Sequence, residues 1–161
     1  MKPADLLQLL REFYREKSAL RARHVAAARL VADYNFNNTY QYVINREDVH
    51  LAWLRDAITD LGGTPEDAPE PDVRVTGSNA AAIIFGEDSK QAQAFVDRWR
   101  DRVEHISHAR NQTMLKLMLG EVLEGKRFFD QALEGRQDLL GRRADGMGTK
   151  GKVLSERWIG K

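Results

Sequence analysis

The chain has 161 residues, of which 30% are charged, and its formal net charge is only +1. This length is enough for one domain with a real core and too short for two. Because acidic and basic residues are balanced, no overall field favours nucleic acid. The absence of cysteine excludes disulfides, thiolate metal sites and cysteine nucleophiles.

The N-terminal residues Met1 to Asp5 lead directly into an amphipathic segment with charges throughout. No apolar run approaches the roughly 20 residues that a membrane span requires. We therefore expect a protein without a membrane span, located in the cytoplasm.

The first half of the chain predicts two helices joined by a short turn. Apolar residues recur every three or four positions, which predicts one helix from Pro3 to about Val31. The asparagine-rich cluster 33–38 favours a turn. A second helix, from about Thr39 to Leu61, is then expected to fold back and to stop at Gly62-Gly63-Thr64-Pro65.

The second half predicts a long link and two more helices. Residues 64–79 are rich in Pro, Glu, Asp, Gly and Ser, and they are numerous enough to cross from one end of a bundle to the other. Residues 80–85 are expected to form a short helix that covers one end. A third helix is predicted for Glu87 to about His108, and a fourth for Asn111 to about Leu140.

Glu47 and His50 are polar residues on an otherwise apolar helix face. They lie one turn apart, and Val43, Leu51 and Leu54 share much of that face, so both side chains are expected to point towards the core. A buried carboxylate needs a metal, a cation or a hydrogen-bond donor. Three interpretations stay open: metal ligation by donors suited to iron, manganese or zinc, a metal-free polar network, and a face that meets water.

The run from Glu47 through His50 to Leu61-Gly62-Gly63-Thr64-Pro65 resembles the second helix of rubrerythrin-like and bacterioferritin-like proteins. In those proteins Glu-x-x-His precedes a Leu-Gly-Gly-x-Pro helix end. The resemblance covers residues 5–140. It implies an all-α fold over residues 1–140, a ferritin-like four-helix bundle of two helical hairpins joined by a long crossover.

In the ferritin-like superfamily, each hairpin supplies a glutamate and a Glu-x-x-His to a di-iron centre. The resemblance therefore implies bound iron or manganese and iron-dependent oxidation using oxygen or peroxide. The metal ligands that it implies are Glu16, Glu47, His50 and Glu124, with Glu121 as a possible further ligand.

The second half departs from the family pattern. When Glu124 is aligned with Glu47, Gln93 stands at the position of Glu16 and Arg127 at the position of His50. An arginine there favours a different interpretation, in which Arg127 replaces the charge of a metal and no cofactor is bound.

The C-terminal segment 141–161 is predicted to be an extended basic arm, with five glycines and six Lys or Arg against two acidic residues. Cations interleaved with apolar anchors suit docking on a protein groove. The residues expected to contact a partner are Arg142, Arg143, Lys150, Lys152, Arg157 and Trp158. Another protein or a neighbouring subunit of a homo-oligomer is expected, and nucleic acid is not. A solvated tail is the alternative.

Two functions remain open from the sequence. One is a ferritin-like metal-binding protein, active as an iron-dependent oxidoreductase with a reduced or altered metal site. The other is a non-catalytic ferritin-like scaffold or accessory subunit, which docks on a protein partner through its surface and its C-terminal arm.

Overall fold

A computed structural model of the chain describes residues 1–136 and 139–140. Within these residues it contains four α-helices and no strand, so the prediction of an all-helical fold with four helices is confirmed. The helices are α1 (Pro3–Leu30), α2 (Tyr34–Asp60), α3 (Ala80–Glu104) and α4 (Ala109–Leu133). Outside the described residues lie the predicted arm 141–161 and its candidate contact residues Arg142, Arg143, Lys150, Lys152, Arg157 and Trp158.

The start of α2 differs from the prediction, because α2 begins at Tyr34, inside the segment 33–38 that was expected to form a turn. Asp33 is the N-cap, and its side chain accepts a backbone N–H hydrogen bond at 3.1 Å. The side chain of Asn37 donates to the carbonyl of Ala28 at 2.8 Å and so covers the end of α1. These polar side chains begin one helix and close another, which is why the predicted turn was wrong.

The end of α2 agrees with the prediction. Gly62 has a φ of +77°, a conformation that glycine adopts without a steric penalty. The N–H groups of Gly62 and Gly63 donate to the carbonyls of Thr59 and Ile58 at 2.8 and 2.9 Å. These bonds satisfy the last carbonyls of the helix, as is usual where a glycine ends it.

The prediction of a short helix over residues 80–85 followed by a separate helix was wrong, because α3 is continuous. Gly86 lies inside α3 and does not end it. A glycine costs a helix only about 1 kcal/mol relative to alanine, and burial of the neighbouring Ile84 and Phe85 holds this turn against the core.

α4 is shorter than predicted. His108 is its N-cap, with ring Nδ1 accepting a hydrogen bond from the N–H of Asn111 at 3.3 Å. The helix ends at Leu133, whereas the sequence predicted an end near Leu140. Gly135 follows with a φ of +82°, and this left-handed residue turns the chain out of the helix.

Each helix packs against two others. α1 packs mainly on α2 and α3 mainly on α4, while smaller contacts join α1 to α3 and α2 to α4. Two ion pairs, Glu12 with Arg102 and Arg23 with Asp88, show that α1 and α3 are antiparallel.

The link between α2 and α3 runs along the bundle from one end to the other. α2 is antiparallel to α1, since Arg55 contacts Tyr14 while Asp48, earlier on α2, pairs with Arg21, later on α1. α3 begins at the opposite end, beside the last turns of α1. The link is attached to α1 on the way, because the N–H of Ala68 donates to Ser18 Oγ at 2.8 Å.

The core consists of two apolar clusters, one towards each end of the bundle. The first includes Leu10, Phe13, Leu54, Ile58, Phe95, Trp99 and Leu115. The second includes Ala27, Tyr40, Ile84, Phe85, Phe128 and Phe129. Between them lie buried polar side chains, which form the candidate site. Among the described helices, none is long and apolar enough to cross a bilayer.

Candidate functional site: a buried polar layer

Four polar side chains from α1 and α2 meet in the middle of the bundle, and we call them the polar layer. They are Lys17, His24, Glu47 and His50. Glu47 is 3% exposed and His50 is 1% exposed. The prediction that Glu47 and His50 face the interior is therefore confirmed.

Glu47 is held by two positively charged or polar groups from α1. The Lys17 ammonium donates to Glu47 Oε1 at 3.2 Å, and His24 Nδ1 lies 3.0 Å from both carboxylate oxygens. Burial by itself would raise the pKa of Glu47, but the charges of His24 and Lys17 and their hydrogen bonds lower it to about 2. The carboxylate is therefore ionised inside the core.

The same contact shifts the pKa of His24 upwards. Burial opposes its protonation, yet the charge of Glu47 and the hydrogen bond to it raise the pKa of His24 overall. When it is protonated, His24 donates from Nδ1 to Glu47 and carries a second N–H on Nε2.

Lys17 and His24 were not predicted as site residues, although the sequence contained a signal for them. Both continue the three-and-four spacing of Phe13, Leu20 and Ala27, which places them on the buried stripe of α1. The sequence predicted Glu16, one position before Lys17, on that face instead. The apolar stripe of α1 is wide enough for either residue to lie on it.

His50 contacts α4 through Glu121, which also pairs with Arg46. Burial, and then the charge of Lys17, lowers the pKa of His50 to about 4, although Glu121 acts in the opposite direction. Neutral His50 therefore donates from Nε2 to Glu121, and its Nδ1 is left as a hydrogen-bond acceptor.

The structure brings some predicted site residues together and separates others. Glu47, His50, Glu121 and the half-buried Glu124 line one cavity. Glu16 does not line it. Its carboxylate accepts hydrogen bonds from Arg98 Nη2 at 2.7 Å and from Trp99 Nε1 at 3.0 Å, between α1 and α3.

Arg127, the predicted charge replacement, is exposed and does not line the cavity. The cation that contacts Glu47 is Lys17, which comes from the first helix. The sequence predicted that an arginine on α4 would supply the positive charge, whereas in the structure a lysine on α1 supplies it. The cation therefore reaches Glu47 from a different helix than expected.

The cavity has a volume of about 30 Å³, which is space for roughly two water molecules. Two ring nitrogens beside it, His24 Nε2 and His50 Nδ1, have no hydrogen-bond partner among the described residues. His50 Nδ1 is an acceptor, and His24 Nε2 is a donor when that ring is protonated, so a small polar guest such as water is the kind of ligand that they suit. In the described part of the chain, no group of three or more His, Asp or Glu is arranged to hold a metal ion.

These residues do not fit a two-iron centre. Both oxygens of Glu47 already face His24, and the Lys17 ammonium lies 3.2 Å from one of them. A dication bound at Glu47 would sit beside that ammonium, where like charges in a poorly solvated site repel strongly. Glu16, the facing carboxylate that such a centre requires, is paired with Arg98 instead.

No protein-family model, curated protein or solved structure matches the chain.

Proposed function

We propose that the chain is a ferritin-like scaffold protein in which the ammonium group of Lys17 takes the place of a metal ion. The observation that carries this proposal is the ion pair between Lys17 and Glu47, whose side chains are 1% and 4% exposed. In this function the bundle acts through its surfaces, as a subunit or a docking partner, and its centre is structural.

The charges of the centre support this proposal. Glu47 is compensated by Lys17 and His24, and Glu121 is compensated by Arg46 and by its contact with His50. A buried charge is tolerated when a partner of opposite sign and hydrogen bonds accompany it. Because side chains supply these partners, the fold does not need a metal to neutralise its centre.

The ferritin-like assignment rests on the order and packing of the helices. Two antiparallel pairs, α1 with α2 and α3 with α4, are joined by a link that runs the length of the bundle. The Glu-x-x-His motif lies in the interior, and its helix ends at the glycine pair 62–63. These features support the resemblance seen in the sequence.

A second candidate function is favoured by the unpartnered ring nitrogens. In this alternative one transition-metal ion binds at His50, and Glu121 and Glu124, which line the same cavity, shift to complete a ligand set that is not preformed. The oxygen and nitrogen donors suit iron or manganese. The ferritin-like resemblance then implies oxidation by oxygen or peroxide, with the metal supplying the redox chemistry.

Metal analysis of three proteins, all purified without chelators, separates the two functions. The scaffold proposal predicts no stoichiometric iron, manganese or zinc in the parent and an unfolding temperature that EDTA does not change. It also predicts that Lys17→Glu, which exchanges the cation for a carboxylate, gains affinity for Mn²⁺ or Fe²⁺. Stoichiometric metal in the parent that disappears in Glu121→Gln would establish the second function instead.

Glu16→Gln is the matched control for Glu121→Gln, because it makes the same change at a carboxylate outside the cavity. It should leave the metal content as it is in the parent. Circular dichroism of each variant checks that the helices are retained.

A further inference from the structure

A groove lies between α2 and α4 at the end of the bundle where α2 ends and α4 begins. Its volume is about 470 Å³, and the apolar side chains that line it include Trp53, Ala57, Met114 and Leu117. Trp53 is 38% exposed and Leu117 is 49% exposed. Together with Val49, which is 36% exposed, they form an apolar face that residues 1–136 and 139–140 do not cover.

The two sides of the groove carry opposite charges. Asp56 and Asp60 lie on the α2 side, and Arg110 lies on the α4 side with His108. All four side chains are exposed. Within the described residues, Asp56, Asp60 and Arg110 form no ion pair.

Each charge opposes the dipole of its own helix. Asp56 and Asp60 lie in the last turns of α2, where the helix end is partly negative. Arg110 lies in the first turn of α4, where the helix end is partly positive. These positions are unfavourable in the isolated chain, and a partner that brings the opposite charge to each helix end would offset that cost.

We propose that this groove is the interface between two copies of the chain. A two-fold axis parallel to the helices would place α2 of each copy on α4 of the other. Asp56 and Asp60 of one copy would then face Arg110 of the second, twice, at equal height. Trp53 of each copy would enter the groove of its partner as the buried aromatic anchor.

The charge pattern selects a second copy over other occupants. An isologous interface needs a patch that is complementary to itself, and an acidic side opposite a basic side has that property. A basic peptide, such as the segment 141–161 of this chain, would approach Arg110 as closely as it approaches the acids. The proposal concerns assembly and holds whether or not the central cavity takes a metal.

A charge-exchange experiment tests the interface with the full-length chain. The parent is expected to be a dimer in sedimentation velocity at micromolar concentration. Asp56→Arg with Asp60→Arg makes both sides of the groove basic, and Arg110→Glu makes both sides acidic, so each variant alone is expected to be monomeric. An equimolar mixture of the two variants should form a heterodimer, because both contacts are then opposite in charge.

Two further variants complete the test. Trp53→Ala should weaken the dimer by roughly tenfold or more, as expected for a buried aromatic anchor. Arg100→Glu is the control for Arg110→Glu, since it reverses an exposed charge on α3 away from the groove, and it should leave the dimer intact.

A monomeric parent would overturn the proposal. So would a dimer that persists in both charge variants, because another face would then form it. Loss of the dimer in Arg142→Glu with Arg143→Glu, while the groove variants keep it, would assign the contact to the C-terminal segment and also overturn it.

Discussion

Lys17 and Glu47 are buried as a charged pair, so each depends on the other for its stability in the core. Removal of one partner leaves the second as an uncompensated buried charge, whereas removal of both leaves no charge to compensate. When only Lys17 is removed, His24 remains beside Glu47 and offsets part of the loss.

Lys17→Met should therefore lower the free energy of unfolding by about 3 kcal/mol, as measured by urea denaturation. The double variant Lys17→Met with Glu47→Leu should recover most of that loss. Lys90→Met, the same change at an exposed position of α3, should stay within about 0.5 kcal/mol of the parent. Equal losses in the single and double variants would show that the pair is not coupled.

The pKa of His50 gives the stability a pH dependence. Folded His50 has a pKa of about 4, below its ordinary value of 6.5, so protons bind the unfolded chain first as the pH falls. The free energy of unfolding of the parent, relative to His50→Gln, should thus fall between pH 6.5 and pH 4. Above that window the imidazole is neutral in both states, and no further change is expected.

His24 and Glu47 also make the free energy of unfolding depend on pH, so the contribution of His50 is isolated by comparing the parent with His50→Gln. The raised pKa of His24 contributes stability that is present below pH 6.5 and is lost as the pH rises through its folded value. The lowered pKa of Glu47 contributes stability that is lost as the pH falls towards 2. His105→Gln, at an exposed position, should not remove the fall. Parallel profiles for the parent and His50→Gln would contradict the assignment.

The burial of Glu47 and His50 could be predicted from the sequence, because it follows from the pattern of a single helix. Glu47 and His50 interrupt an apolar face of α2, and such an interruption is visible locally. Lys17 lies on a face of α1 where Leu9 and Leu10 make two neighbouring rows apolar. Choosing between Glu16 and Lys17 required the position of α3, because Arg98 and Trp99 attract Glu16 to that side.

At the scale of the helices, Gly62 and Gly120 are expected to have opposite effects on stability when each is replaced by alanine. Gly62 has a φ of +77° at the end of α2, so Gly62→Ala should lower the free energy of unfolding by about 1 kcal/mol. Gly120 lies inside α4, and apart from its own helix backbone and chain neighbours no described atom lies within 4 Å of an added methyl group. Gly120→Ala should raise the free energy of unfolding by about 0.5 to 1 kcal/mol.

Urea denaturation of both variants checks the signs. Destabilisation by Gly120→Ala would mean that the exposed side of α4 needs the bare backbone for a contact made outside the single chain. Stabilisation by Gly62→Ala would contradict the left-handed helix end.

Helix ends were predictable where a glycine must adopt a positive φ, as at Gly62. Helix starts were less predictable, because asparagine and aspartate favour turns and N-caps alike. Asp33 therefore read as part of a turn, although it begins α2. Residues 80–85 were predicted as a separate helix, although α3 continues through Gly86, because burial of its neighbours outweighs the low helix propensity of glycine.

At the scale of the whole molecule, the bundle is two apolar clusters separated by the polar layer. The link between α2 and α3 passes outside this arrangement and is attached to α1 near the layer. The sequence predicted the apolar stripes from their spacing. It did not show that polar side chains of α1 and α2 meet at one level, since that depends on how far the two helices are shifted along each other.

This division of the core predicts that the polar layer is not required for stability. A variant that replaces all four charged or polar groups with apolar ones of similar size carries Lys17→Met, His24→Leu, Glu47→Leu and His50→Leu. Its free energy of unfolding should equal that of the parent or exceed it by about 1 to 4 kcal/mol, because the desolvated charges of the layer are gone, while the buried Asp88 keeps its pair with Arg23. Arg46 and Glu121, which are less buried, can keep their own pair.

Urea denaturation and a proton–nitrogen correlation spectrum of that variant show whether the polar layer selects the helix arrangement. If unfolding stays cooperative and the spectrum stays dispersed, the four groups do not select it, as expected for a scaffold that acts through its surfaces. If the variant becomes helical but loses a single set of sharp signals, the ion pair fixes how the helices align. That second result would contradict the prediction, because a uniform apolar core would then be unable to choose one alignment.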